Sequence, residues 1–194
     1  MNRIILVSLL AVALTGCQYA PQAISINPKV DVRTSEVGRG QDVLVNVVDE
    51  RPKKTLGTVG VGNEGADISI EGDLVDSVLR ALNDGLSRMN FKPTPARNGN
   101  KSELRVEIRK LDYTIIRGFW AWTVRVDAGL KAICVRDVIR PYEKLHHGES
   151  IVSVQANQSR EANAQYINTA LSAAINALLS DQNLQACIAQ QIIP

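Results

Sequence analysis

Several residue types are scarce in this 194-residue sequence, and each scarcity excludes a class of protein. Aromatic residues make up 4% of the chain, so it has no ladder of rings on which nucleic-acid bases or sugars could stack. Lys and Arg number 22 against 20 Asp and Glu, and this near balance gives no basic surface for a nucleic-acid partner. The length and the 45% hydrophobic content indicate one globular domain together with a targeting segment.

Histidine is also scarce, and the sequence contains no recognisable catalytic or metal-binding motif. The two histidines, His146 and His147, are adjacent in a predicted strand and therefore point to opposite faces, so they cannot jointly bind one metal ion. We expect both to titrate at the surface. The glycines between Gly57 and Gly65 fit neither a dinucleotide-binding nor a phosphate-binding pattern and predict a flexible loop, and a nucleophile elbow is absent. The sequence therefore predicts a protein that is not an enzyme and holds no metal or cofactor.

The apolar run near the N-terminus is too short to span a membrane. It covers residues 4–14, is interrupted only by Ser8 and follows Arg3, whereas a spanning helix needs about 20 apolar residues. A secretory signal needs only about 7 to 15 apolar residues before a small-residue cleavage site. The length of the run therefore predicts a signal peptide in residues 1–16.

The segment Leu14-Thr15-Gly16-Cys17 resembles the lipobox of bacterial lipoproteins. This resemblance implies cleavage before Cys17, diacylglycerol on its sulfur and a further acyl chain, such as palmitate, on the new amino group. Three acyl chains anchor a protein firmly, because each buried methylene contributes about 0.8 kcal/mol and stable anchoring takes two lipid signals. An Asp after the cysteine retains enterobacterial lipoproteins at the inner membrane. Gln18 therefore favours the outer membrane, with the domain facing the periplasm.

Residues 17–40 contain proline, glycine and scattered polar residues. Their apolar residues recur with neither the two-residue period of a strand nor the 3.6-residue period of a helix. We therefore predict a lipidated N-terminus and flexible tether over residues 17–40, and a single domain over residues 41–194. The alternative is that Ile24, Ile26 and Val30 add a short edge strand to the domain.

Two further cysteines, Cys134 and Cys187, lie in the predicted domain, in a compartment that permits disulfides. If they pair, the bridge closes a loop of about 50 residues and contributes roughly 4 kcal/mol in the chain-entropy model. If they do not, both are small buried hydrophobes, because each falls on the apolar face of its predicted element.

The hydrophobic pattern predicts the secondary structure of the domain. Valine-rich residues 42–49 and the short segment 66–70 indicate strands, and Asp73 begins a predicted helix over residues 73–90. Alternating residues predict strands near 103–115, 122–134 and 143–155, with a β-bulge at Lys110 in the first of them. Ser159 and Asp181 are predicted to begin two further helices. This order predicts an α+β domain of two layers, in which helices pack on one face of a largely antiparallel sheet.

Taken together, these features resemble the YajG family of bacterial lipoproteins over most of the chain. The resemblance rests on the lipobox at residues 14–17, on Val-Val-Asp-Glu-Arg at residues 47–51 followed by Gly57, and on the helix at 73–90. It implies a localisation and a fold, but no catalytic or cofactor-binding set. The two domain cysteines are not part of the family pattern.

Two places in the domain are candidate interaction sites. Asp49 and Arg51 follow a strand, where they either bind a ligand or pair with each other, and pairing is the favoured interpretation. Phe119 and Trp120 lie at a predicted turn and are expected to expose an apolar contact patch. We predict a non-enzymatic module that binds another envelope component, either a protein or the cell wall. The alternative function is a carrier that holds an apolar or amphiphilic ligand, such as lipid, between the helices and the sheet.

Overall fold

The computed structural model describes residues 20–60, 65–94, 102–135, 142–155 and 158–189. Within these ranges the chain forms strands β1 (Gln22–Ser25), β2 (Asp42–Asp49), β3 (Gly57–Val59), β4 (Ala66–Glu71), β5 (Lys92–Thr94), β6 (Ser102–Arg117), β7 (Trp122–Val135) and β8 (Tyr142–Val154), and helices α1 (Leu74–Arg88), α2 (Arg160–Leu179) and α3 (Gln182–Ile188).

The larger of the two sheets has five strands in the order β5-β2-β6-β7-β8. Strands β6, β7 and β8 form an antiparallel meander, whereas β2 pairs in parallel with both β5 and β6. The register shifts between Ile108 and Lys110, as the break in alternation predicted. The predicted α+β class is confirmed, and the antiparallel part of the five-stranded sheet is the β6-β7-β8 meander.

Alternation along the meander gives the five-stranded sheet one apolar face and one charged face. On β7, Val124, Val126 and Ala128 are buried on the apolar face. The opposite face, called the solvent face below, is crossed by ion pairs such as Arg125 to Glu149 (2.6 Å). Such half-buried sheets are typical of antiparallel architecture, because only one face needs covering by helices.

The helices cover the apolar face. The Asp73 carboxylate accepts hydrogen bonds from the backbone N–H groups of Val75 and Asp76 and so begins α1, whose buried side chains face β2. Helix α2 lies against β7 and β8. Its backbone approaches β8 so closely that a Cβ at Gly148 would overlap the carbonyl oxygen of Ala170. Only glycine therefore fits at this position of β8.

The prediction of a flexible tether over residues 17–40 is wrong from Gln22 onwards. Strand β1 pairs in parallel with β4 and joins β3 and β4 in a three-stranded sheet, and Ile24 and Ile26 are buried in the core. Residues 57–59, predicted as part of a flexible loop, form β3 in the same sheet. The edge-strand alternative therefore describes this segment better than the tether does.

Beyond β1, the extended segment 27–31 is held by polar side chains of α2. Alternate backbone N–H groups of the segment donate to successive turns of the helix: Asn27 to Asn168 Oδ1 (2.6 Å), Lys29 to Ser172 Oγ (2.8 Å) and Asp31 to Asn176 Oδ1 (2.9 Å). The two spacings match, because four helical residues rise about 6 Å and two extended residues span about 6.6 Å. These contacts give the three backbone N–H groups hydrogen-bond partners without a neighbouring strand. The segment therefore does not need the alternation of apolar and polar residues that is typical of a strand.

A disulfide between Cys134 and Cys187 joins β7 to α3. Of the two alternatives left open by the sequence, the structure contains the bridge. Among the described residues, no helix is both long enough and apolar enough to cross a membrane.

Candidate functional site

The first candidate site is an ion-paired cluster at the end of β2. The Arg51 guanidinium donates from Nε to Asp49 Oδ1 (2.9 Å) and from Nη2 to Asp49 Oδ2 (3.0 Å), and the Arg51 backbone N–H also donates to Oδ1 (3.2 Å). Lys54 Nζ lies 3.0 Å from Asp49 Oδ2. The Arg51 side chain is only 4% exposed, so this two-point pairing takes place almost out of water.

Asp49 remains ionised in this cluster. Burial alone would raise the pKa of its carboxyl, but the hydrogen bonds from Arg51 and Lys54 outweigh burial and lower the pKa to about 2. Both carboxylate oxygens are occupied by groups of the chain itself. Asp49 and Arg51 therefore pair with each other, as the favoured interpretation of the sequence proposed, and the pair stabilises the loop after β2.

The second candidate site is the turn between β6 and β7, called the aromatic tip below and formed by residues 118–121. The Gly118 backbone N–H donates to the carbonyl oxygen of Ala121 (2.9 Å), and a Cβ at Gly118 would overlap that oxygen. Phe119 and Trp120 are 91% and 89% exposed. Their rings contact each other edge to face, with centroids 5.0 Å apart. The turn thus holds two large apolar side chains out in solvent.

The base of the aromatic tip is apolar and cationic. Ile116, the next-to-last residue of β6, is exposed, and the Arg117 guanidinium lies 5.8 Å from the ring centroid of Trp122. Trp122 itself is partly buried and packs against the core, as predicted.

The chain enters the domain at the same end of the sheet as the aromatic tip. Gln22 Oε1 accepts a hydrogen bond from Asn163 Nδ2 (2.9 Å), and Asn163 Oδ1 accepts one from the Tyr113 hydroxyl (2.9 Å). Tyr113 lies four residues before β6 ends at Arg117. The first described residues therefore lie beside the part of β6 that leads into the tip.

The outer edge of β8 is a third surface of interest. Strand β8 is 13 residues long and stands at the end of the five-stranded sheet, so within the described part of the chain it pairs only with β7. Its solvent face exposes Leu145 (44%) and Ile151 (54%). His147 and Glu149 lie between them on the same face and are exposed as well.

The two histidines lie on opposite faces of β8, but only one is at the surface. His146 is buried, and its Nε2 lies 3.1 Å from the Tyr142 hydroxyl oxygen. Burial lowers the pKa of His146, and the nearby Lys144 and His147 lower it further against the opposing effect of Asp181. The expectation that both histidines titrate at the surface is therefore wrong for His146, because α2 covers its side of β8.

The described residues contain no group of three His, Cys, Asp or Glu side chains arranged to hold a metal ion. The space between the helices and the five-stranded sheet is filled by fully buried side chains such as Leu104, Leu130 and Leu171. A surface cleft of about 580 Å³ has Lys53, Asp112 and Arg117 among its lining residues.

The chain combines a lipobox-like segment with one α+β domain, which is the organisation of a bacterial lipoprotein. It belongs to the family described as "Uncharacterized lipoprotein", whose model matches residues 28–189, and the resemblance to the YajG family is thereby confirmed. The protein is therefore a membrane-anchored protein of the cell envelope.

Two solved structures are similar to this chain at low sequence identity. A Xanthomonas campestris protein is 13% identical, with a TM-score of 0.48, over 82% of this chain and 91% of its own. A minor lipoprotein from Acinetobacter baumannii is 9% identical, with a TM-score of 0.40, over 78% of this chain and 94% of its own. No curated protein matches the chain.

Proposed function

We propose that the protein is an outer-membrane lipoprotein, held at the periplasmic face by acyl chains on Cys17, whose domain binds another envelope protein and catalyses no reaction. Membership of a lipoprotein family, the lipobox at residues 14–17 and Gln18 support the anchor and its membrane. The observation that carries the binding role is the long outer edge of β8.

An edge strand of this length presents a row of backbone N–H and C=O groups to any chain that reaches it. Proteins usually protect such edges with charges, bulges, short strands or a covering element. On β8 the solvent face carries Glu149, but it also exposes Leu145 and Ile151 on either side of that charge. The edge therefore has both the backbone groups and the apolar side chains that strand pairing uses.

The partner that fits this edge is an extended segment of another envelope protein, added as a sixth strand beside β8. Leu145 and Ile151 are six residues apart and therefore share one face, separated by about 20 Å along the strand. Two apolar side chains of the partner segment, at the same spacing, would contact Leu145 and Ile151. Polar side chains of the segment between those two would contact His147 and Glu149.

The membrane anchor makes a weak site of this kind sufficient. Two proteins held at one membrane meet at a high effective concentration, so occupancy does not require a large interface. The carrier alternative has less support, because buried side chains fill the space between the helices and the sheet.

The test is photo-crosslinking in intact cells, with a photo-reactive residue in place of Leu145 or of Ile151. A matched control carries it in place of Asn46, which is exposed on the solvent face of β2. We expect both β8 positions, but not position 46, to capture the same protein. Ile151→Lys should also weaken the crosslink formed from position 145, since both side chains contact one partner strand.

Two outcomes would overturn the proposal. One is that no protein recurs at the two β8 positions. The other is that the recurring adduct contains only a second copy of this chain, because antiparallel pairing of two β8 strands about Gly148 would oppose Leu145 to Ile151 and His147 to Glu149. The mass of the adduct separates such a dimer from binding to another protein.

A further inference from the structure

We propose that the aromatic tip is a lipid-contact site: Phe119 and Trp120 enter the interfacial region of the phospholipid layer to which the chain is anchored. The inference assigns a partner to a surface that the β8 contact does not use. It rests on the anchor proposed at Cys17, but not on the binding role of β8.

The composition of the tip fits a membrane interface. Aromatic rings are enriched at the level of lipid headgroups, where the ring is apolar and the indole N–H of Trp keeps a hydrogen-bond partner. Phe119 and Trp120 are about nine-tenths exposed, and Ile116 at the base of the tip extends the apolar surface. Contiguous exposed apolar residues of this kind mark contact sites.

The position of the tip brings it to the membrane. Only four residues lie between Cys17 and Gln22, so the five residue steps that join them span at most about 18 Å. Gln22 is linked through Asn163 to Tyr113, and β6 runs about 13 Å further from Tyr113 to Arg117. The anchor therefore holds this end of the sheet near the lipid surface, and the tip lies at that end.

The charges around the tip favour a lipid surface that carries negative headgroups. Arg117 is exposed at the base of the tip, and residues 114–124 contain no Asp or Glu. The nearest acidic residue before them on β6 is Asp112, which lines the same cleft as Arg117. Residues 150–155, at the adjoining end of β8, contain none either. A basic residue beside anionic lipid is attracted to it, whereas an acidic one would be repelled.

The shape of the turn also favours docking without rearrangement. The hydrogen bond from Gly118 to Ala121 fixes the backbone, and the edge-to-face contact holds the two rings together. A preformed contact surface loses less conformational freedom on binding than a flexible loop does.

The experiment uses the full lipoprotein reconstituted through its acyl chains into vesicles of phosphatidylethanolamine and phosphatidylglycerol. Trp122→Phe leaves Trp120 as the sole tryptophan. We expect brominated phospholipids to quench its fluorescence and aqueous iodide to lose access to it. As a matched control, Leu145→Trp is placed in a chain with both native tryptophans replaced by Phe. Leu145 is an exposed apolar position nine residues before Val154, and therefore far from the tip. The control should remain open to iodide and unaffected by the brominated lipids.

A second measurement uses the chain from Gln18 onwards, without the signal peptide and without the acylated cysteine, so that any vesicle binding comes from the domain. In this chain, Phe119→Ser with Trp120→Ser should weaken binding about tenfold, whereas Leu145→Ser should not. All substituted side chains are exposed, and a thermal unfolding curve checks that each variant is folded.

Equal iodide access for Trp120 and for the control tryptophan would overturn the inference. So would a photo-reactive residue at position 120 that captures a protein and no lipid. Failure of the anchor itself gives a different result, since a chain without lipid on Cys17 cannot be reconstituted in the first step. The β8 crosslinks report separately on the proposed function.

Discussion

Replacing Asp49 with Asn tests whether the cluster after β2 is a structural ion pair. The Arg51 guanidinium is almost fully buried, and two of its nitrogens donate to the Asp49 carboxylate. Asn keeps the shape of the side chain but removes the negative charge. A buried charge that loses its partner costs about 3–5 kcal/mol of the free energy of unfolding. For a domain of this size, each kcal/mol lowers the unfolding midpoint by roughly 2–4 °C.

The pH dependence of stability gives an independent magnitude for the same pair. The pKa of Asp49 is about 2 in the folded protein and 3.8 in an unperturbed carboxyl. Between these values the unfolded chain binds more protons, so stability falls as the pH falls. The contribution is complete above about pH 5, is lost progressively as the pH falls through 3.8 and then through 2, and amounts to about 2 kcal/mol.

The assay is thermal unfolding of the wild-type protein and of Asp49→Asn, in the same detergent, from pH 7 down to pH 2. The midpoints should differ most at pH 7 and approach each other towards pH 2. Glu50→Gln is the matched control, because Glu50 is an exposed neighbour that forms only a long contact of 3.5 Å with Arg105. It should cost less than about 1 kcal/mol. If Asp49→Asn is as stable as the control at pH 7, the structural role of the pair is refuted.

Three further predictions concern the core, the disulfide and the anchor. Gly148→Ala should lower the free energy of unfolding, measured in urea, by about 1–3 kcal/mol, because the α2 backbone must move to admit the methyl group. Gly129→Ala should lower it by less, because a Cβ there meets mainly side chains. Equal losses in the two variants would contradict the close approach of α2 to β8. Cys134→Ser removes a disulfide between residues 53 positions apart and should lower the free energy of unfolding by about 4 kcal/mol. A reductant should therefore lower the unfolding midpoint of the wild-type protein but not that of the variant. Replacing residues 1–17 with a secretory signal that is cleaved before Gln18 should release the protein from the membrane fraction, and Gln18→Asp in the full chain should move it to the inner membrane on a density gradient. Unchanged fractionation would refute the assigned anchor.

The elements that sequence patterns predicted are those with local signals. Period-2 alternation predicted β6, β7 and β8, and the break at Lys110 predicted the bulge, because each residue's environment in a meander depends on its immediate neighbours. Asp73 indicated the start of α1, because its carboxylate accepts hydrogen bonds from the backbone N–H groups two and three residues further along the chain. The candidate pair of Asp49 and Arg51 was predictable for the same reason, since its members are two residues apart.

What the sequence did not predict depends on contacts between distant residues. Strand β1 pairs with β4, which lies more than 40 residues away, and the segment after it is held by side chains of α2. The short apolar stretch around β1 was therefore compatible with either a tether or an edge strand. The burial of His146 depends likewise on α2 covering one side of β8, which no pattern within β8 reveals.

The two proposed contacts constrain each other through the direction of β8. The strand ends at Val154, opposite Trp122 beside the aromatic tip, and begins at Tyr142 near the other end of the sheet. If the tip rests on lipid, the outer edge of β8 runs away from the membrane for about 40 Å, open to a protein that approaches from the side. An anchor at Cys17 alone would let the domain tumble, whereas anchor and tip together restrict its orientation. Loss of the two tip rings should therefore weaken crosslinking from Leu145 as well, although neither ring touches β8's partner, because the edge would no longer be presented in one direction.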